Sequence, residues 1–545
     1  MKCIAAVEVD FDESPLGTRS RAADDLNGQP VLTRTLTQIA RADRIAHLFV
    51  ICPPHQSSRC RELIGSELSA RVTVRTKRID DQRFGPLVRT ARKWSLDGWR
   101  GGIGGICSMD EYTRSDELAL LAHGESADLL FCASASAPLI DPALADTMID
   151  HAEQTAHESR ITFAQAPPGL AGTVYKTELL IEMGQQHIPP GMVLSYKPDA
   201  PMMDLAHKTC CYTAPAPVRH AVGRLIVDTE RAFQTVQRYL STGLPIEAES
   251  VSRWLIDTAR EGIPELPREV EIELTTEDQL ADTILRPRGP RVGSRGPIEP
   301  GIVQKIADEL AAFDDSLVVL GGFGEPLLHP RFDDILNVFA SAGIYGVAVR
   351  TNGLALDDDR IDAVIRHGVD VVSALFDAWT PATYRTVHGQ DRLNEAVEKV
   401  RRLVQVRGQR RSVAPLVVPE ITKSLETMHE LDSFFDGWVR EMGWANIVGY
   451  SDYAGQMEDR RAAIMAPPTR HACRRISQRA TVLADGRLLL CDQDFTGKHA
   501  VGSLKHATLG ELWTGHHMQG VRKRHRQGCF DSIPLCANCE QWHRP

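Results

Sequence analysis

Four cysteines toward the end of the chain carry the clearest chemical signal in the sequence: Cys473, Cys491, Cys536 and Cys539. Cys536-Ala537-Asn538-Cys539 is a short chelating loop. Cys473 and Cys491 bracket residues 483–488, which read as a hairpin turning at Asp485-Gly486. Folding that hairpin brings two thiolates toward the other pair. From spacing alone the set suits an iron-sulfur cluster or a structural zinc ion equally, because the two share ligand type. Four unligated thiols in so short a tail would add oxidation risk without packing benefit. Cys529 is a spare thiol that can compete for a site.

A second constellation lies upstream. Gly321-Gly322-Phe323-Gly324-Glu325-Pro326 follows the apolar run SLVVL, and glycines there let backbone groups approach a ligand closely. Thr351-Asn352-Gly353 ends the next strand pattern, and Phe376-Asp377, Thr380-Pro381 and His388-Gly389 end the one after. The plainer reading gives these glycines and Asn352 to tight strand-to-helix turns. Before them, residues 275–287 read TTEDQLADTILRP, with Asp278, Asp282 and Leu285 at a spacing of four and then three. Asp278, Asp282, Glu325 and Asp377 can form a carboxylate site for a hard cation if they converge. Arg286, Arg288, Arg291 and Arg295 make a basic, Pro/Gly-rich segment, either an anion site or a hydrated loop.

Two sets of elements must position these residues. Residues 1 to 244 alternate apolar strands such as CIAAVEV, AHLFVIC and ADLLFCAS with helical patterns, a βαβ rhythm. A linker helix is expected across 245–267, with a break at Gly262-Ile263-Pro264. From 268 to 465 the rhythm restarts in six units, VEIEL, SLVVLGG, GVAVRTN, VVSALF, APLVVP and NIVGY, which suit a partial (β/α)6 barrel of the TIM type. Residues 466–545 form a small Cys-rich tail that a metal staple would help hold. The expected class is α/β.

Composition narrows the function. The chain has 545 residues, a charged fraction of 25%, a hydrophobic fraction of 43% and no apolar run long enough for a membrane helix. The net charge of −10 disfavours nucleic acid. Arg522-Lys523-Arg524-His525-Arg526 is the one basic cluster, expected as a solvated helix face. The opening MKCIAAVEVDFDE is too short and acidic for a signal peptide, so a cytoplasmic protein with reduced cysteines is expected.

The motifs of residues 268–450 resemble those of radical S-adenosylmethionine (SAM) enzymes. In that family a CxxxCxxC loop holds a 4Fe-4S cluster with one iron open to SAM, and a GGEP motif contacts the SAM amino group. The resemblance therefore implies cofactor contacts at Gly321, Gly322, Glu325, Pro326 and Asn352. The three cysteine positions are occupied by Asp278, Asp282 and Leu285, and leucine offers no donor, so radical initiation at this loop is not expected. Cys210-Cys211 is a poor substitute, since adjacent cysteines seldom present both thiolates on one face. Residues 471–542, with Gly502-Ser503-Leu504 and Leu512-Trp513, resemble the SPASM domain. That resemblance implies one auxiliary 4Fe-4S cluster on Cys473, Cys491, Cys536 and Cys539, with zinc as the alternative.

Residues 1–244 resemble the Rossmann-like nucleotidyltransferase fold of cytidylyltransferases. The matching residues run through Ser14-Pro15-Leu16-Gly17-Thr18-Arg19, Leu26-Asn27-Gly28-Gln29-Pro30, Pro138-Leu139-Ile140-Asp141-Pro142 and Arg224-Leu225-Ile226-Val227-Asp228-Thr229. In that family two aspartates hold Mg²⁺; here Asp228 takes the second position and Ser136 the first, and Ala22 stands where a lysine is expected. Arg19 or Arg21 can substitute for that lysine. Together the resemblances imply a protein that binds or presents a peptide or glycan substrate without initiating radicals. The alternative is an active enzyme, either a sugar nucleotidyltransferase or a radical SAM enzyme with an unrecognised cluster site.

Overall fold

A computed structural model describes residues 1–77, 85–201, 203–258 and 265–544. The chain divides into two units, Met1–Glu261 and Gly262–Pro545. The expected break at Gly262-Ile263-Pro264 lies outside the described residues. The helix expected beside it forms over Ala248–Thr258 and belongs to the first unit, where Trp254 meets Tyr239 edge-on at 5.3 Å.

The first unit is built on a seven-stranded sheet. Its strands are β1 (Cys3–Glu8), β2 (Leu48–Cys52), β3 (Val72–Thr76), β4 (Leu129–Cys132), β5 (Ile161–Ala164), β6 (Thr173–Lys176) and β7 (Cys211–Tyr212), in the order β3-β2-β1-β4-β6-β5-β7. The strands β1 to β4 run parallel, and β6 is antiparallel to both β4 and β5. Parallel strands are covered on both faces, which is why β2 and β4 are apolar and buried along their length. The order reverses between β1 and β4, and α/β sheets place ligands outside the carboxyl ends of the strands at such a switch.

The second unit carries one nine-stranded sheet. Six parallel strands follow in register: β8 (Glu269–Glu273), β9 (Leu317–Gly321), β10 (Gly346–Thr351), β11 (Val371–Leu375), β12 (Leu416–Lys423) and β13 (Asn446–Gly449). These are the six units expected from sequence. The sheet is open and not a closed barrel: the order is β13-β12-β11-β10-β9-β8-β14-β15-β16, with β14 (Arg479–Val482), β15 (Arg487–Leu489) and β16 (Ala500–Ser503) supplied by the tail. Here β14 runs parallel to β8, pairing Ala480 with Val270 and Val482 with Ile272. The strands β14 and β15 form the expected hairpin, with Gly486 at φ +86°, a conformation glycine adopts without strain. Helices cover the sheet; Pro300–Leu310 opens on proline, whose missing N–H costs nothing there, and buries Ile302, Val303, Ile306, Ala307 and Leu310 on one stripe. Among the described residues no helix is long and apolar enough to cross a membrane.

Candidate functional site

At the carboxyl ends of β8 to β12 the expected cofactor residues do come together, but they bind one another. Glu325 is 2% exposed and caps the short turn Pro326–Leu328, accepting from Leu327 N. Its Oε1 also accepts from Thr351 Oγ1 at 2.8 Å, and its Oε2 from Asn352 N at 2.8 Å. Burial, and secondarily the charge of Asp278, push its carboxyl up to about 7. Asn352 spends its amide on Asp278 Oδ1 at 3.0 Å and Gln279 Oε1 at 3.1 Å. Gly322 sits at φ +76°, where a Cβ would lie 2.7 Å from Glu273 Cβ; a Cβ on Gly324 would lie 2.1 Å from the Thr275 carbonyl oxygen. The second clash is with backbone, so the glycines let this loop lie against the end of β8.

Three of the four arginines of the basic segment are spent on carboxylates, while Arg291 is exposed and donates to the Thr283 carbonyl at 2.8 Å. Arg288 Nε donates to Asp278 Oδ2 at 2.7 Å, both side chains buried. Arg295 grips Glu273 with two bonds of 2.7 Å. Arg286 pairs with Asp377, which is fully buried at φ +55° and also accepts from Thr422 N at 2.9 Å. Burial opposes the charge on Asp377, yet Arg286 and then His388 hold its carboxyl below the usual range. His388 is itself pushed down to about 4, chiefly by burial, and its Nδ1 meets Thr283 Oγ1 at 3.0 Å. Leu285 packs with Val387 and Tyr450, and Asp282 faces solvent. The four carboxylates considered for a hard cation therefore do not converge: Asp377 and Asp278 each hold an arginine, Asp282 is exposed and Glu325 is knotted into the turn. Residues 278, 282 and 285 do not fit an iron-sulfur cluster.

The tail thiols have a different setting. Cys536 is buried in the core of the second unit, with Cys491 and Cys539 packed against the same core. Cys473 lies close enough to the other three for their charges to interact. Burial pushes every one of the four up, Cys536 to about 12. Polar partners already face three of the sulfurs: Gln541 N donates to Cys539 Sγ at 3.3 Å, Cys491 Sγ meets Asp492 Oδ1 at 3.0 Å, and His525 Nε2 stands 3.4 Å from Cys536 Sγ. Asp492 in turn receives two bonds from Arg475, at 2.7 and 3.0 Å. Four sulfurs around one core with N–H donors aimed at two of them fit a thiolate-held group. Among the described residues no three Cys, His, Asp or Glu side chains converge on the point a single ion would occupy. Cys529 is exposed, and its sulfur faces the Gln527 carbonyl at 3.7 Å.

The run 522–526 is only partly a solvated face. On the helix His516–Arg526 the buried stripe is Met518, Val521, Arg522 and His525. Arg522 lies over the Trp513 ring at 4.2 Å and donates to the carbonyls of Ile476 (2.8 Å) and Trp513 (2.7 Å). The spacing of three and four residues was the signal that composition hid.

In the first unit the expected nucleotide residues converge, again closed on themselves. Val227 N donates to the Ser136 carbonyl at 2.7 Å, and both Thr18 Oγ1 and Arg21 donate to the carbonyl of Asp228. The Asp228 carboxylate is held by Arg224, which also binds Glu111; Glu111 binds Arg92 at 2.8 Å. Burial works against ionisation of Glu111, but Arg224 and Arg92 hold its carboxyl below the usual range. Asp141 is no metal ligand here: Oδ1 caps the helix Pro142–Gln154 and Oδ2 accepts from Ala248 N at 2.7 Å. Arg21 is buried and Arg19 pairs with Asp24 at the surface. Cys210 and Cys211 are buried, with thiols raised chiefly by burial.

Comparison with known proteins matches residues 287–431 to the Radical SAM superfamily and residues 473–540 to an iron-sulfur cluster-binding domain, SPASM. The first match begins at Pro287, past Asp278, Asp282 and Leu285; the second runs from Cys473 through Cys539. An uncharacterized protein of Treponema pallidum is 25% identical over 61% of this chain and 92% of its own length. A tungsten-containing aldehyde ferredoxin oxidoreductase cofactor-modifying protein of Pyrococcus furiosus is 27% identical over 25% of this chain, and the match spans 38% of that protein. Among solved structures, SuiB of Streptococcus suis bound to its precursor peptide SuiA gives a TM-score of 0.39 at 12% identity, covering 57% of this chain and 83% of that one. A cytidylyltransferase of Leptospira borgpetersenii gives 0.32 at 14%, covering 48% and 94%.

Proposed function

We propose, from the matches of residues 287–431 to the Radical SAM superfamily and of residues 473–540 to the SPASM domain, that this chain is a non-initiating member of that class. It carries one auxiliary 4Fe-4S cluster on Cys473, Cys491, Cys536 and Cys539 and binds or presents a peptide or glycan substrate for modification. The observation that carries this reading is the Arg288 to Asp278 ion pair, which occupies the first ligand position of the cluster loop while Leu285 seals the third. The Asp278 oxygens already accept from Arg288, Asn352 and Leu280 N, and soft iron prefers thiolate to carboxylate. The acceptor expected to hold the amino group of SAM is equally engaged, since Glu325 accepts three hydrogen bonds from its own chain.

In the tail, a zinc ion needs its sulfurs within about 2.3 Å of one point. The match of residues 473–540 to an iron-sulfur cluster-binding domain supports the cluster over zinc. When bound, the cluster supplies a one-electron couple; the chain supplies four thiolates and N–H donors that face two of them. In the first unit Arg224 gives Asp228 the positive charge that Mg²⁺ supplies in an active transferase, which supports a binding head without transfer chemistry.

The test is metal analysis of the full chain reconstituted without oxygen, beside the Cys536→Ala/Cys539→Ala variant. The expected result is about four irons and four sulfides per chain, lost in the variant, with no reductive cleavage of SAM. Release of 5′-deoxyadenosine, or about eight irons, would show that radical initiation survives. Zinc in place of iron would reduce the tail to a structural staple.

A further inference from the structure

His525 stands at the junction of two of the four cysteines, and neither family resemblance nor the basic run around it assigns it a role. The helix His516–Arg526 turns it inward, leaving 2% of the residue exposed, and Phe530 meets its ring edge-on at 5.2 Å. Arg522, one turn earlier on the same stripe, ties that helix to two carbonyls, so the ring has no route to solvent short of moving the helix.

The two ring nitrogens face different partners. The backbone N–H of Cys473 points at Nδ1 at 3.3 Å. A backbone amide is only a donor, so Nδ1 must present its lone pair. In a neutral imidazole the proton then sits on Nε2, which faces the sulfur of Cys536 at 3.4 Å. The backbone of one cysteine thus selects the tautomer that donates to the sulfur of another.

We propose that His525 is a positioning residue for the auxiliary cluster: its Nε2–H donates a hydrogen bond to the Cys536 thiolate, fixing that ligand's orientation and raising the cluster's reduction potential. This rests on the reading that the four thiols hold a cluster. An N–H aimed at a ligand sulfur stabilises the more negative, reduced state more than the oxidised one, and hydrogen bonds to sulfur are among the determinants of cluster potential. The histidine is itself no ligand, because Nε2 carries the proton.

Two measurements on the full chain test it. In apo protein labelled with ¹⁵N-histidine, the ring shifts of His525, assigned by loss in His525→Gln, should report the Nε2–H tautomer; an Nδ1–H tautomer or a fast exchange of the two would overturn the proposal. In anaerobically reconstituted protein, His525→Phe should keep its iron yet show a more negative potential by redox titration. His525→Gln, whose amide N–H can stand where Nε2–H stood, should lie between that variant and the parent. Equal potentials in all three would overturn the proposal, as would the strong nitrogen hyperfine coupling of a directly ligated imidazole. If the phenylalanine variant loses its cluster, a glutamine variant that keeps the cluster at a potential below the parent's supports the donor role, and one that matches the parent or also loses its cluster refutes it. Absence of iron from the parent protein would refute the cluster reading itself, while the tautomer measurement still decides the hydrogen bond.

Discussion

Glu325 is held by three donors in a place water does not reach, and its carboxyl titrates near 7 instead of the ordinary 4.5. A raised carboxylate binds its proton more tightly in the folded chain than in the unfolded one. Its stabilising effect is therefore complete below about pH 4.5 and declines as pH rises toward 7, after which it is spent. The slope belongs to this one residue, on the order of 2–3 kcal/mol across the window. Urea unfolding of the second unit at pH 5 and pH 8 is expected to show that decline, and Glu325→Gln, with nothing to ionise, is expected to remove it at some cost in packing. A parallel pH slope in the variant would assign the effect elsewhere. At the same scale, the three buried arginine pairs illustrate why the site at the carboxyl ends of the strands was hard to anticipate: the partners of Arg286 and Arg295 lie 91 and 22 residues away in sequence, and no local pattern announces them.

At the scale of elements, a single aspartate joins two helices of the first unit. Asp141 caps Pro142–Gln154 with one oxygen and accepts from the first residue of Ala248–Thr258 with the other. Asp141→Ala is expected to destabilise the first unit by about 1–3 kcal/mol, the worth of a cap plus one buried N–H left without an acceptor. Its midpoint in urea should fall with the slope unchanged, and Asp141→Asn, which keeps the size and one of the two acceptor oxygens, should recover part of the loss. The elements themselves were well announced by sequence. Runs such as SLVVL and VVSAL are continuously apolar because parallel strands are buried on both faces, and each formed where its run stands. The hairpin turning at Asp485-Gly486 was legible for the same kind of reason, since only a left-handed turn residue explains the glycine. What sequence could not show was the pairing of RATV with VEIEL: two strands separated by two hundred residues carry no mark of each other. His525 was hidden differently, inside a basic run whose average character is that of a wet surface.

On the whole-molecule scale, the two units own separate apolar cores, one centred on residues such as Val31, Leu36 and Phe131, the other on Val303, Phe339 and Phe376. A ligand that binds one folded unit stabilises that unit by mass action. Calorimetry of the full chain is expected to show two transitions, of which only the one belonging to the second unit rises when the cluster is assembled, by several degrees. Movement of both together would mean the cores unfold as one. Closer to the tail, β14, β15 and β16 together make the border of the larger sheet beyond β8. A chain cut before Arg479 would lose three of the four tail thiols, Cys491, Cys536 and Cys539, and with them the strand stitched along Val270 and Ile272, leaving a raw border of amides and carbonyls ready to be sewn to the same border on another copy. Such a truncation is expected to clump, as light scattering of the shortened chain would show, because the strand along Val270 and Ile272 then has no selvedge.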